Sequence, residues 1–512
     1  PSIGMEGALV VLLALYGVIG SWLSAKRWLG LTVRVAAASA FVLAFALVPY
    51  GDARKVLVRS SVGRWMTADD SVVKVREGKL ATLVHVSQGM HGLKIFDQLA
   101  TDAYSMSVND FAARRYMELF VVLPAALHPH IQRALVIGYG IGNTARALTA
   151  LPEVKRIDVV DVSSDILALA REITPPRAKH PLLDPRVHVR IDDGRFFLDV
   201  TPQRYDLITG EPPPPVMAGM SALYSKEYFA HVHDRLNEGG FATYWLPMMN
   251  ISAATGRSII AAFCSAFDDC SLWHGSTRNF MLVGTRNAHN DVADTRFTAQ
   301  WNDPRTLEEL RSIGLELPGQ LGALFIGDAP YLRKLTADDP PVSDDWPRRM
   351  ERPGTRAERD QLIWQWRDTR SARTRFVQSD WVTQLWPASM RREALRNFEN
   401  QRLINDLLFP EATPARQVQV LDQVLLHTPL QLPVLLMLDS DPDIQYALSK
   451  AGPRADRPEW AVHRAAGYLA KRNIAAALQS LQGVPDNAIR VRGLREYLMK
   501  LAQDDPQIDM PE

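Results

Sequence analysis

The chain has 512 residues, more than one hydrophobic core accommodates, so two to four domains are expected. A formal net charge of +1, with no long basic stretch interleaved with aromatics, excludes nucleic acid as the natural partner. The only two cysteines, Cys264 and Cys270, are too few for a disulfide framework or a structural zinc site. They lie close together in AAFCSAFDDC and can pair if that face meets an oxidising compartment. The favoured reading is two small buried hydrophobes.

Residues 7–24, GALVVLLALYGVIGSWLS, carry no charge, and residues 30–49, GLTVRVAAASAFVLAFALVP, are interrupted only by Arg34. About 20 apolar residues cross a bilayer as a helix, so two transmembrane helices are predicted within residues 1–52, with buried helices of a soluble domain as the alternative. Glu6 before the first run and the second run behind it argue against a signal peptide. The chain begins at Pro1 and is expected to be a processed product or the back part of a longer membrane protein. Arg54, Lys55, Arg59 and Arg64 outnumber Lys26 and Arg27, which favours residue 50 onward on the cytoplasmic side.

Residues 53–105 read as a small antiparallel β domain. KVLVRSS at 55–61, then 71–89 and 92–100, alternate β-branched with polar residues. Residues 109–127, NDFAARRYMELFVVLPAAL, have helical spacing and Asn109 as cap. Over 106–290, strands RALVIGYG, RIDVVDVS, VHVRIDDG, YDLITGE and GFATYWLPM alternate with helices, and CSLWHG and NFMLVGT follow as later strands. That order predicts a doubly wound, mostly parallel, Rossmann-like α/β domain. Residues 291–386 are Trp- and Pro-rich and less regular, their tryptophans read as packing or interface anchors. Residues 387–512 are predicted to be α-helical, with a tetratricopeptide-like pair near the end.

Candidate chemistry collects at the strand ends. Gly138, Gly140 and Gly142 follow the first strand and open a helix, so the backbone can approach a ligand. The second strand ends in Asp161, placed to hold the hydroxyls of a ribose. The third ends in IDDG, where Asp193 can accept from an adenine amino group and Gly194 leaves room for the ring. The competing reading is that Asp161 and Asp193 cap the following helices. No P-loop lysine follows the glycines, so an adenosine carrying a sulfonium fits better than ATP. The fourth strand stops at Gly210-Glu211 and runs into Pro212 to Pro215, as the rim of an active site would. The histidines show no metal-ligand spacing.

The ordered series REGKLATLVHV, RRYMELF, VIGYGIGNT, VVDVS, RIDDG, YDLITGEPPPP, LYSKEYF and LNEGGFATYW, with a weaker VSDDWP at 342–347, resembles the spermidine synthase (polyamine aminopropyltransferase) family. The resemblance is closest to its bacterial membrane-fused branch, in which transporter-like helices precede the synthase domain. It implies an S-adenosylmethionine-dependent transferase type of fold and decarboxylated S-adenosylmethionine as co-substrate, with no metal. It assigns Tyr116 and Glu118 to the acceptor site, Asp161 to the ribose, Asp193 to the adenine, and Glu211 to the start of the catalytic acidic stretch. Met117, Ile141 and Pro214 replace a His and two Asp of the pattern, and Glu211 itself replaces an Asp.

Three functions follow. The first is a membrane-anchored aminopropyltransferase acting on an amine, with Glu211 as base. The second is a methyltransferase using S-adenosylmethionine. The third is a non-catalytic assembly subunit. The expected surroundings are the bacterial inner membrane, the lipid bilayer, and membrane-protein partners met through the N-terminal helices and the C-terminal helical domain.

Overall fold

A computed structural model describes residues 4–25, 30–47 and 51–408, with breaks at 64, 68–69, 91–92, 103, 174–179, 277, 290–291 and 347–355, and parts of 461–502. The chain divides into two compact units, Pro1–Val108 with Asp165–Ile173, and Asn109–Ser164 with Thr174–Glu512.

The first unit opens with helices α1 (Gly4–Ala25), α2 (Leu31–Ala46) and α3 (Asp52–Val62). Gly17 brings α1 close to Phe41 of α2, where a Cβ would lie 2.4 Å from the ring. Both helices expose apolar side chains, among them Leu12, Tyr16, Val18, Trp22, Val42 and Leu43. Among the described residues, however, no helix is long and apolar enough to cross a membrane, so the two predicted spans are not found there.

Helix α3 corrects the strand expected at 55–61. The alternation of Val56 with Val58 imitates a strand, but Gly51 adopts a left-handed φ of 89° and Asp52 occupies the first turn, a favourable helix start. Val58 and Val62, four apart, then share one face. They pack against Val84, Val86 and Ala100. Those residues belong to an antiparallel sheet of β1 (Ser71–Glu77), β2 (Thr82–Met90), β3 (Leu93–Thr101) and β4 (Tyr104–Val108), in that order. Asp165 joins the same unit through Arg76 Nε at 2.7 Å and the Lys79 amide at 3.0 Å.

The second unit carries an eight-stranded mixed sheet. Helix α4 (Phe111–Leu127) precedes β5 (Arg133–Ile137), α5 (Asn143–Ala150), β6 (Arg156–Asp161), β7 (Val187–Ile191), α7 (Gly194–Val200) and β8 (Tyr205–Gly210); α6 (Ser164–Ile173), between β6 and β7 in the chain, is counted with the first unit from Asp165 on. Next come α8 (Lys226–Asp234), β9 (Leu236–Pro247), α9 (Ala253–Ala266), β10 (Ser271–Ser276), β11 (Asn279–Thr285) and β12 (Phe325–Asp328). The strand order is β12-β10-β11-β9-β8-β5-β6-β7, parallel from β9 through β7 and antiparallel among β9, β11, β10 and β12. This is the Rossmann-like α/β fold expected, extended by β12 from the region read as irregular. The chain order reverses between β5 and β8, the switch point where such sheets place ligands.

Two details fix α4 against the sheet. Asp110, not Asn109, caps it, accepting from the Ala113 amide at 2.7 Å. Pro124 inside the helix removes the amide that would bond the Phe120 carbonyl. The buried Thr243 hydroxyl on β9 donates to that carbonyl instead, at 3.0 Å.

Cys264 on α9 and Cys270 before β10 form a disulfide with Cα atoms 5.3 Å apart, in place of the two free thiols favoured from sequence. Trp366, Trp381 and Trp386 are buried, Trp386 stacking on Trp273 at 6.0 Å, so these tryptophans serve packing. The region beyond 356 is helical over Arg356–Arg367, Thr369–Gln378, Asp380–Leu385 and Ala388–Leu408. The helix predicted from ARQVQVLDQVLLH at 415–427 lies outside the described residues, as does most of the tetratricopeptide-like pair at 460–484 and 488–503. Ile474–Ser480 is the described helix of that pair.

Candidate active site

The carboxyl ends of β8, β5, β6 and β7 stand side by side, and they bring together Glu211, the glycine turn, Asp161 and Asp193. The turn is built by backbone need. Gly138, Gly140 and Gly142 all take positive φ, at 86°, 55° and 88°. A Cβ on Gly138 would approach the Glu211 carbonyl to 3.3 Å, and one on Gly142 would strike the Tyr139 ring. Tyr139 and Ile141, the non-glycine members of the turn, are buried.

Asp161 holds that turn in shape. Its carboxylate accepts from the Tyr139 amide at 2.9 Å and the Ser163 amide at 2.8 Å. Burial raises its pKa, and the two amide bonds oppose the rise. Asp193 caps α7, accepting from the Arg195 and Phe196 amides at 2.9 Å each. The competing cap reading thus describes Asp193. Gly194 is required by packing: a Cβ there would lie 2.5 Å from Ile137 Cγ2. The space beside Gly194 that the sequence allotted to a ring is partly filled by Ile137.

Glu211 continues the β5–β8 pairing through its amide, which donates to the Ile137 carbonyl at 3.1 Å. Its half-buried carboxylate accepts from the Thr144 hydroxyl in the first turn of α5. Desolvation pushes the carboxyl up to about 7, against the lowering effect of the Thr144 bond. Thr144 Oγ1 also lies 3.3 Å from the Met117 carbonyl. When Glu211 is ionised, Thr144 donates to it. When Glu211 is protonated, it can donate to Thr144, whose own hydrogen then turns to Met117.

Pro212, Pro214 and Pro215 are buried beneath an exposed segment at 216–219 that includes Val216. Tyr224, at the far end of this loop, donates back to the Pro212 carbonyl at 3.1 Å. Arg195 ties the loop to the VSDDWP segment, donating to the Ala222 carbonyl at 3.2 Å and to Asp344 at 2.6 Å.

Tyr116 and Glu118 flank Met117 on α4, whose carbonyl shares the Thr144 hydroxyl with Glu211. Tyr116 is buried, its ring stacked on Trp245 at 5.9 Å. Glu118 is 2% exposed and accepts from Arg114 Nε at 3.0 Å and Arg146 at 3.1 Å. Both arginines also reach Glu309, at 3.0 and 2.7 Å, and Arg114 reaches the Ser312 hydroxyl at 2.7 Å. Burial alone would lower the pKa of Arg114, but Glu118 and Glu309 outweigh it and hold the guanidinium above its ordinary value. Sequence reasoning missed Arg114, Thr144, Arg146 and Glu309. The i,i+4 spacing of Arg114 and Glu118 on one helix was a usable signal. The other pairings join distant segments and left none. Among the described residues no group of three His, Cys, Asp or Glu side chains is arranged to hold a metal ion.

Residues 113–272 match the family model described as the spermine/spermidine synthase domain. The chain is 34% identical over 125 residues to the polyamine aminopropyltransferase of Alkaliphilus oremlandii, an alignment covering 24% of this chain and 43% of the relative. It is 34% identical over 129 residues to the polyamine aminopropyltransferase of Streptococcus pneumoniae, covering 25% of this chain and 44% of the relative. The chain therefore spans less than half the length of the curated relatives it matches. A probable spermidine synthase from Corynebacterium glutamicum superposes with a TM-score of 0.38 at 18% identity, over 54% of this chain and 97% of that one.

Proposed function

We propose that the second unit transfers an aminopropyl group from decarboxylated S-adenosylmethionine to an amine, with Glu211 as the general base. The observation that carries this reading is a half-buried carboxyl, pushed up to about 7, at the switch point between β5 and β8. It lies within the part of the chain that matches the synthase domain. A base is most effective when its pKa lies near the working pH. In the proposed step Glu211 takes a proton from the acceptor ammonium. The freed amine attacks the methylene carbon beside the sulfonium, the C–N bond forms as the C–S bond breaks, and sulfur keeps the electron pair in methylthioadenosine. In this reading the glycine turn, shaped by Asp161, receives the nucleoside, and Asp161 and Asp193 hold ribose and adenine with oxygens that also bind backbone amides.

The test is release of methylthioadenosine by the purified protein supplied with decarboxylated S-adenosylmethionine and a mixture of amines. Release that disappears in Glu211→Gln supports the reading, and equal release by both proteins defeats it.

We further propose that the chain associates with the bacterial inner membrane through α1 and α2. The support is their row of exposed apolar side chains, with Tyr16 71% and Trp22 60% accessible. Recovery of the protein in the soluble fraction without detergent counts against this part.

A further inference from the structure

The charges around the candidate base restrict which amine it can receive. A diamine brings two ammonium groups. One is deprotonated for attack, and the other stays charged and needs a carboxylate once it leaves water. Glu211 supplies one acid. Its described side-chain partner is the neutral Thr144, and its raised pKa stems from desolvation, with no neighbouring charge among its causes. The carboxylate nearest along the chain to the Thr144 contact is Glu118, one residue beyond Met117. Glu118 is buried and already neutralised by Arg114 and Arg146, which also bind Glu309. Those two cations and two anions balance one another, so an incoming ammonium would have to displace a guanidinium from a pair made inside the protein. At the other strand ends Asp161 and Asp193 already accept backbone amides. After Glu211 the chain continues as Pro212 to Pro215 and supplies no second acid there.

Resting on the transfer reading above, we infer that the acceptor is a primary amine with a single cationic nitrogen and a neutral tail, a monoamine or amino alcohol. The experiment compares 1-aminobutane, 4-aminobutan-1-ol and 1,4-diaminobutane, matched in length, by methylthioadenosine release from decarboxylated S-adenosylmethionine. The expected kcat/KM is at least about tenfold higher for the two single-amine acceptors than for the diamine. A diamine used equally well or better overturns this inference and leaves the transfer reading standing. Release with none of the three overturns the transfer reading, and this inference with it. The comparison uses one protein and three acceptors, so misfolding of a variant cannot produce the result.

Discussion

Glu211 and Glu118 are carboxylates of the same unit, removed from bulk water in opposite ways. Glu118 is paired with two guanidiniums that it shares with Glu309. Glu211 has a hydroxyl for company, and its carboxyl rises to about 7. A fully paired buried acid is a structural part, because its geometry is held by partners that do not leave. An unpaired one is reactive, because either protonation state is within reach near neutrality. The difference teaches that burial alone does not mark a catalytic acid. What marks it is burial without a compensating cation.

The sharpest way to break the comparison is at the base. Glu211→Gln should lower methylthioadenosine release by about 10²- to 10⁴-fold, the usual contribution of general base catalysis, with no loss of thermal stability. Glu118→Ala should behave in the reverse manner. It leaves two partly buried guanidiniums to share Glu309 alone and should cost about 1–3 kcal/mol of stability, read by denaturant unfolding. If Glu118→Ala instead spares stability and abolishes turnover, the two roles are exchanged.

The pH dependence separates the two acids further. The folded-state pKa of Glu211, about 7, lies above its ordinary value of 4.5, so the protein binds this proton more tightly folded than unfolded. The resulting stability is complete below about 4.5 and is lost as pH rises through about 7. At pH 8, Glu211→Gln should therefore be more stable than the parent by up to about 3 kcal/mol, and the gain should vanish at pH 4. Turnover runs the other way, rising with pH through about 7 as the base ionises. The smallest effect belongs to Thr144→Val. Losing the hydroxyl that favours the charged form should move the midpoint of the pH–rate profile upward by about one unit, with no comparable shift expected from a change at Arg146.

The parallel strands were legible because buried strands read as short apolar runs ended by glycine or an acid, and β5, β6 and β8 carry that pattern in chain order. Glu211 was found as a lone carboxylate where such a run stops. Helix α3 was misread because Val56 and Val58 alternate as strand residues do, while the contacts that decide the matter, at Val58 and Val62, are tertiary. The fate of Glu118 could not be read beyond Arg114, since Arg146 and Glu309 meet across a separation of 163 residues. Strand β12 is four residues long and pairs antiparallel with β10 at the sheet edge, too short for a periodic signal.

The bridge between Cys264 and Cys270 makes the covalent state of the second unit a question of redox chemistry. Thioredoxin and glutathione keep such pairs reduced in the cytosol, whereas an oxidising compartment preserves them. A unit that matures with this bond closed matures under oxidising conditions, whereas the sequence reading of the arginines and lysine after residue 50 leads to the reducing side as the expectation. Blocking free thiols in intact cells, and then reducing and labelling what remains, reads that redox state directly from two sulfur atoms.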